Sequence, residues 1–468
     1  MAERNGVRQV TSARGTARPA SGAARAARPA RGPEAQILIR GGTVVDETGE
    51  RRADVLVEGD SVAAVAPDLD SPKGARVLDA SGCAVAPGLV DLHTHLRQPG
   101  GEAAETVESG SRAAARGGYT AVVAMPNTSP AIDHPSVVRD VLALGDQALC
   151  QVSVAGAITI DRRGERLAPM GDMAALGVHL FTDDGRGVQD PAVMRRALEY
   201  AGDLGVVLAE HCEDEALSAG GHMHEGAWSS RLGIPGQPGL AEEAMLARDI
   251  ELVAITGSPM HFLHLSTAAS VARLQDAKKK APRLPITSEA APHHLLLSDA
   301  EVASYDPVFK VNPPLRTEQD VVALRQALAA GVIDAVATDH APHTADQKEL
   351  PFDEAPAGMT GLETALSAVH TCLGDSVSLG ELFALFSWRP ARIAGLDRRA
   401  GGRQGGPIAK GGPANIVVFE VGGAFVVDVA AMASLSANTA FAGLKLTGRV
   451  RHTIYEGELV VTDTLAQR

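Results

Sequence analysis

Aromatic residues are scarce in this chain, at 3% of its 468 residues. Single-stranded nucleic acid is usually gripped on stacking rings, so that class of function is disfavoured from the outset. Cysteine is sparse as well. The four residues Cys83, Cys150, Cys212 and Cys372 are scattered with no CxxC pair, which reads as reduced thiols in a cytoplasmic protein. No apolar run approaches the ~20 residues that span a bilayer, and no apolar segment follows the early arginines to form a secretory signal. Basic clusters are missing too, and the formal net charge is -14. An acidic body repels nucleic acid and anionic membranes, so neither is expected as a partner. An anionic small molecule would have to be caught by a few local cations.

What is present fits a soluble α/β protein. Apolar residues make up 45% of the chain and charged ones 21%, which is ordinary for a sizeable core. The length suits a large domain with a smaller companion. Residues 1–34 are rich in Arg, Ala and Ser and read as a disordered tail, with an organellar transit peptide as the alternative. Two separated blocks then alternate apolar residues with turn chemistry: ILIRGGTVVD to ARVLDASGCAVAP at 35–87, and ANIVVFEV to GRVRHTIYEGELVVTD within 401–468. Neither could bury a large core alone, so one small β-sandwich assembled from both ends of the chain is expected.

Between them, at 88–400, eight short apolar runs recur near Val90, Val122, Val154, Leu180, Val207, Leu263, Ile286 and Val336. Stretches such as PAVMRRALEYAGDLG and TEQDVVALRQALAAG carry helical periodicity. Strands alternating with helices imply a parallel sheet, and eight such units imply a (β/α)8 TIM barrel. Nearly every run ends in His, Asp, Asn or Glu on its C-terminal side. In a barrel those ends open onto one face, where such folds place their chemistry.

Asp91-Leu92-His93-Thr94-His95 closes the first run. Residues two apart on a strand face the same side, so His93 and His95 are expected to project together. Two neutral imidazoles suit a divalent transition metal such as zinc, although HxH alone is also a common surface pattern. His211 in AEHC, His264 in HFLHLS, Asp339 in ATDHAPH and the pair Asp183-Asp184 in FTDDG sit at equivalent ends. Four histidines and two to three aspartates placed in this way point to a metal centre.

With GLVDLHTHLRQPG, AMPNT, FTDDG, AEHCED, SEAAPHHLLL, FKVNPPLR, ATDHAPH and SANTAFAGLKLTGRV in this order, the chain from about Ile37 to Glu456 resembles the class I dihydroorotases of the amidohydrolase superfamily. The resemblance implies a zinc-dependent cyclic-amide hydrolase with one or two Zn2+ ions per subunit, interconverting L-dihydroorotate and N-carbamoyl-L-aspartate in pyrimidine biosynthesis. It implies that His93, His95 and Asp339 hold one metal, with His211 and His264 around a second. Many relatives bridge their metals with a strand-four lysine; here that strand offers Asp184, with Asp183 as the fallback. Asp339 would be the catalytic proton carrier. Arg97, with His95, Asn127 and His343, would grip the substrate carboxylate, since a planar guanidinium can bind it through two parallel hydrogen bonds. Asn312 would meet the ring amide, and Ala357 and Gly358 the ring itself, although a bulkier residue usually stands where Ala357 does.

Bland readings stand beside these. Asn127 could be a turn residue next to Pro126, and Arg97 could pair with Glu102 or Glu105. Two rival functions remain. One is a hydantoinase or allantoinase, against which the missing strand-four lysine and the presence of Arg97 both count. The other is a non-catalytic partner of aspartate transcarbamoylase, against which the complete ligand set counts. The resemblance also implies a homo-oligomer and leaves room for an aspartate transcarbamoylase complex.

Overall fold

The computed structural model describes residues 36–397 and 400–467; the tail expected at 1–34 lies outside the described residues. The helices form where local chemistry starts and stops them. In Pro191–Leu204, Asp190 accepts hydrogen bonds from the backbone N–H groups of Ala192 and Val193, Pro191 fills the first position, and Gly205 closes the end at φ 70°. Its buried residues, Val193, Met194, Ala197, Leu198 and Ala201, form one helical stripe. Glu318–Ala329 begins with a reciprocal cap between Thr317 and Asp320. Among the described residues, no helix is long and apolar enough to cross a membrane.

The central strands are parallel and follow chain order. Leu89–Thr94, Tyr119–Ala124 and Gln151–Val154 form one sheet, and Leu180–Phe181, Val207–Glu210, Met260–Phe262, Ile286–Ala290 and Ala335–Val336 form another. Parallel bridges join the two sheets at both sides, Gly156 to Phe181 and Thr94 to His340. One small apolar cluster contains Leu92, Val123, Ala155, Leu180, Ala209, Leu263 and Ala335. All but one of the central strands, Ile286–Ala290 being the exception, contribute to it directly or through the residue that follows. The larger core lies between these strands and the helices, with Phe181, Phe262, Leu274, Leu324 and Leu366 among its members.

The chain ends meet in two further sheets. The smaller runs in the order Ser61–Ala66, Asp54–Glu58, Ile37–Arg40, Arg76–Asp79. The larger includes Cys83–Pro87 paired antiparallel with Ile416–Val426, so residues more than three hundred positions apart share a ladder. Ile39, Val55 and Leu78 of the smaller sheet share one core with Val44, Val85, Ile416 and Ile454 of the larger. The larger sheet also packs on the central unit: Val417, Phe419 and Val450 enter the main core, and Thr453 Oγ1 donates to Ala115 O at 2.7 Å.

One turn in this region leaves no room for a side chain. Gly457, between Lys445–Tyr455 and Glu458–Thr462, has φ +78°, and a Cβ there would lie 1.7 Å from Gly59 O. Backbone, rather than a flexible side-chain tip, would have to move. Gly457→Ala is therefore expected to destabilise the protein by about 2 kcal/mol or more. The expected reading is a lower urea midpoint at unchanged slope, and a midpoint equal to that of the unaltered chain would refute this account of the turn.

Candidate metal centre and its cleft

Asp184 lies at the middle of the cluster. His93 Nε2 is 3.3 Å from its Oδ1, His95 Nε2 is 3.5 Å from its Oδ2, and His211 Nδ1 and His264 Nε2 are each 3.7 Å from Oδ1. Asp339 Oδ1 faces the first pair, 3.2 Å from His95 Nε2 and 3.6 Å from His93 Nε2. Two ligand atoms each about 2.1 Å from a tetrahedral ion lie about 3.4 Å apart. Two groups therefore could hold a cation, His93 with His95 and Asp184, and Asp184 with His211 and His264.

Further observations fit a cation here. His93 Nε2 is buried and lacks an aligned hydrogen-bond partner, its 3.3 Å approach to Asp184 being off-axis. An imidazole lone pair left bare in the interior is costly unless something electrophilic meets it. The field also favours positive charge. Burial opposes protonation of His93, yet Asp184, Glu289 and Asp339 raise its pKa well above the usual histidine range. Burial likewise opposes ionisation of Asp184 and Asp339, yet the surrounding imidazoles hold both well below the ordinary carboxylate range.

The imidazoles are aimed by their other nitrogens. His93 Nδ1 meets Glu289 Oε1 at 3.1 Å, and His261 holds the other oxygen of that carboxylate at 3.0 Å. His95 Nδ1 donates to Asn127 Oδ1 at 2.8 Å. His211 is turned the other way round, with Nε2 on Glu213 Oε2 at 2.8 Å and Nδ1 toward Asp184. Such outer contacts fix tautomer and ring orientation. The backbone is held in unusual conformations as well: His264, Asp339 and Arg97 have φ of 25°, 45° and 58°, a region that non-glycine residues seldom occupy outside functional sites.

A cleft of about 620 Å³ opens over the cluster. It is lined by His95, Arg97, Asn127, Asp184, His211, His264, Asn312, Asp339, His343, Ala357 and Gly358, with His93 fully buried beneath. The residues singled out in the sequence thus come together. Of the two neighbouring aspartates, Asp184 faces the imidazoles. Asp183 turns away, accepting from the backbone N–H groups of Ile158 and Thr159 at 2.9 and 3.0 Å. Arg97 reaches the cleft, but not by strand alternation, since the strand ends at Thr94 and Arg97 itself is left-handed. It forms no ion pair among the described residues. Its Nε donates to Pro342 O at 3.0 Å, while Glu102 caps Gly100 and Glu105 is taken by His340 and Ser434. His343 Nε2 sits 2.8 Å from Ala357 O and 3.4 Å from Arg97 Nη2; the shorter contact makes this nitrogen a donor to the carbonyl. Burial and Arg97 push His343 down to about 3, so it is neutral at working pH.

Glu213, His261 and Glu289 were not anticipated. Glu289 ends Ile286–Ala290 in SEAAPHH and carries the same strand-end signal as the ligands. Glu213 follows His211 by two residues in AEHCED.

Comparison with known proteins first gives the class. The fold matches a dihydropyrimidinase from Brevibacillus agri, with TM-score 0.79 and 25% identity over 92% of this chain and 96% of that one. It also matches a D-hydantoinase from a Bacillus species, with TM-score 0.78 and 27% identity over 92% and 96%. An L-hydantoinase from Arthrobacter aurescens, at TM-score 0.82 and 22% identity over 92% and 97%, agrees in fold. These neighbours are a dihydropyrimidinase and hydantoinases, and the chain shares their mixed α/β architecture.

Sequence then narrows the class. Dihydroorotases from Pelotomaculum thermopropionicum and Streptomyces coelicolor are each 46% identical, over 92% of this chain and 99% of theirs. That of Mycobacterium tuberculosis is 47% identical over 91% and 98%. The family model described as Dihydro-orotase-like matches residues 82–270. The chain belongs to the dihydroorotase family.

Glu289→Gln keeps the side-chain shape and removes the charge shared by His93 and His261. Affinity for a divalent cation, read by chelator competition, is expected to fall about 10–100-fold with the circular dichroism spectrum unchanged. Affinity equal to that of the unaltered chain would show that Glu289 does not orient His93.

Proposed function

We propose that the chain catalyses the reversible hydrolysis of L-dihydroorotate to N-carbamoyl-L-aspartate, using a zinc centre held by His93, His95, Asp184, His211, His264 and Asp339. The observation that carries this reading is Arg97, a half-buried guanidinium with no carboxylate partner among the described residues, lining the same cleft as the imidazole–carboxylate cluster. A bare cation beside a hydrolytic centre suits a cyclic amide that bears its own carboxylate. Hydantoins lack that group, which weighs against the hydantoinase reading. The completeness of the ligand cluster weighs against a non-catalytic scaffold.

One or two Zn2+ ions fit the two ligand groups, His93, His95 and Asp339 around one position and His211 and His264 around the other, with Asp184 between. When bound, such an ion supplies Lewis acidity, polarising a carbonyl and acidifying water. The chain's own residues do the rest. Arg97 and Asn127 bind the substrate carboxylate, His343 joins them by turning its Nε2–H from Ala357 O to the anion, Asn312 meets the ring amide, and the backbone at Ala357 and Gly358 covers the ring. Asp339 starts ionised, takes a proton from the attacking water on a carboxylate oxygen, and returns it to the departing ring nitrogen as the C–N bond breaks. In reverse, the same carboxylate takes the proton from the attacking ureido nitrogen and delivers it to the departing hydroxide, which leaves as water while the C–N bond forms.

The closed circuit of parallel strands supports a (β/α)8 barrel at 88–400, and the two sheets sharing a core support a β-sandwich from 35–87 and 401–468. Free thiols at Cys83, Cys212 and Cys372 support a cytoplasmic setting. Self-association and an aspartate transcarbamoylase partner rest on the resemblance, and size exclusion of the chain alone and mixed with that enzyme reads both.

Asp339→Asn is expected to lower kcat by at least about a thousandfold while the fold persists. Near-normal turnover would remove the carboxylate from proton transfer. Arg97→Met is expected to raise KM for dihydroorotate by about tenfold or more, with a smaller change in kcat; an unchanged KM would count against the carboxylate clamp. Dihydroorotate, hydantoin and allantoin assayed side by side should give turnover on the first, and preference for either of the others would overturn the proposed reaction.

A further inference from the structure

One wall of the cleft has no regular structure to hold it. His343, Ala357 and Gly358 lie on irregular chain on either side of the short helix Ala345–Lys348, and Gly358 has φ +135°. Ala341 N donates to Met359 O at 2.8 Å and His343 Nε2 to Ala357 O at 2.8 Å across these two stretches, and a side chain from far along the sequence joins them again. Asn438 is 7% exposed. Its Oδ1 accepts from the backbone N–H of His343 at 3.1 Å. Its Nδ2 donates to Ala341 O at 3.2 Å and to Gly358 O at 3.1 Å. The partners fix the amide orientation, since the oxygen meets an N–H and the nitrogen meets two carbonyls. Its backbone carbonyl accepts from Thr360 N at 2.9 Å.

Asn438 is itself anchored by the residues before it. Ala433 N and Ser434 N donate to Glu363 Oε1 at 2.8 and 3.1 Å. Ser434 Oγ and Leu435 N donate to Glu105, which also meets His340, the neighbour of Asp339, at 3.2 Å. Ser436 Oγ donates to Ala104 O at 2.6 Å. Segment 433–438 is thus tied to both sides of the cleft wall before Asn438 is reached.

We infer that Asn438 is a positioning residue for substrate recognition, acting through the backbone of His343 and Gly358 to hold the carboxylate-binding imidazole and the ring-covering backbone at one separation. The inference rests on the proposed reaction. It makes the C-terminal segment part of the substrate site although Asn438 is not among the residues lining the cleft. Small misplacements of binding groups are costly because productive geometry tolerates little displacement.

The test uses the full-length, zinc-loaded protein. Asn438→Asp keeps the shape and loses both donors, setting a carboxylate against two carbonyls; Asn438→Ala loses all three contacts. For either variant KM for dihydroorotate is expected to rise by about tenfold or more, with kcat within about threefold and zinc content unchanged. Joined to His343→Ala, the Asn438 substitution is expected to raise KM by far less than the product of the separate effects, because both act on one group. An unchanged KM, effects that multiply, or loss of zinc and kcat together would overturn the inference. So would a failure of both variants to fold, which would make Asn438 a structural residue only. Turnover by the unaltered chain tests the reaction by itself, so its failure is distinct from a failure of the variant-to-parent ratios.

Discussion

Two carboxylates, Asp184 and Asp339, are buried among four imidazoles at one point. Taking carboxylates out of water is expensive, and bringing two together adds mutual repulsion. The arrangement persists only if positive charge stands between them. Protonated imidazoles can supply part of it, as the raised pKa of His93 indicates, and a divalent cation supplies it with directional bonds to the same nitrogens. The surrounding polar contacts serve that point. Glu289 and Glu213 each accept from the far side of a ligand imidazole, and Asn127 does the same for His95. The parallel strands matter because each contributes only its last residues, so a cluster from five strands converges without crowding any one of them.

The same geometry explains how an acidic protein can take an anion. The formal charge of -14 sets an unfavourable distant field, but recognition is decided over a few ångströms. Arg97 is half-buried with its Nε on a carbonyl rather than on a carboxylate, so its charge is left for a ligand. Glu102 and Glu105, the next two acids along the chain, are engaged by Gly100, His340 and Ser434. Had either paired with Arg97, the cleft would hold a satisfied ion pair.

Much of this was legible before any coordinates. Strand alternation and helix caps depend on neighbours, so the central strands and helices such as Pro191–Leu204 can be read from short windows. Histidines and aspartates at strand ends were visible for the same reason. Other features depend on contacts that no window contains. Asp183 and Asp184 are indistinguishable by type; the N–H groups of Ile158 and Thr159, two dozen residues earlier, decide which one faces the imidazoles. Strand alternation would set Arg97 beside His95 only if the strand ran past Thr94, and the side chain reaches the cleft through a left-handed backbone instead. Asn438 stands in the motif SANTAFAGLKLTGRV, but its contacts could not be read there, because an asparagine in an irregular segment usually satisfies its own turn, whereas this one reaches back across 80–97 positions.

Asn312 links the cation cluster to the amide chemistry. Its Nδ2 donates to Glu213 Oε2 at 2.8 Å, the same oxygen that holds His211 Nε2 at 2.8 Å. With its nitrogen committed there, the amide cannot flip, and its Oδ1 is left buried with no hydrogen-bond partner. An orphaned acceptor in the interior costs about 1–3 kcal/mol, and Asn312 would not be held in that state by packing alone when rotation of the amide could reduce the cost. Glu213 and His211 prevent that rotation. The cost is recovered when a donor enters the cleft, and under the proposed reaction the ring N–H of the substrate is that donor. Orientation of a ligand imidazole and discrimination for a cyclic amide therefore share one carboxylate, Glu213.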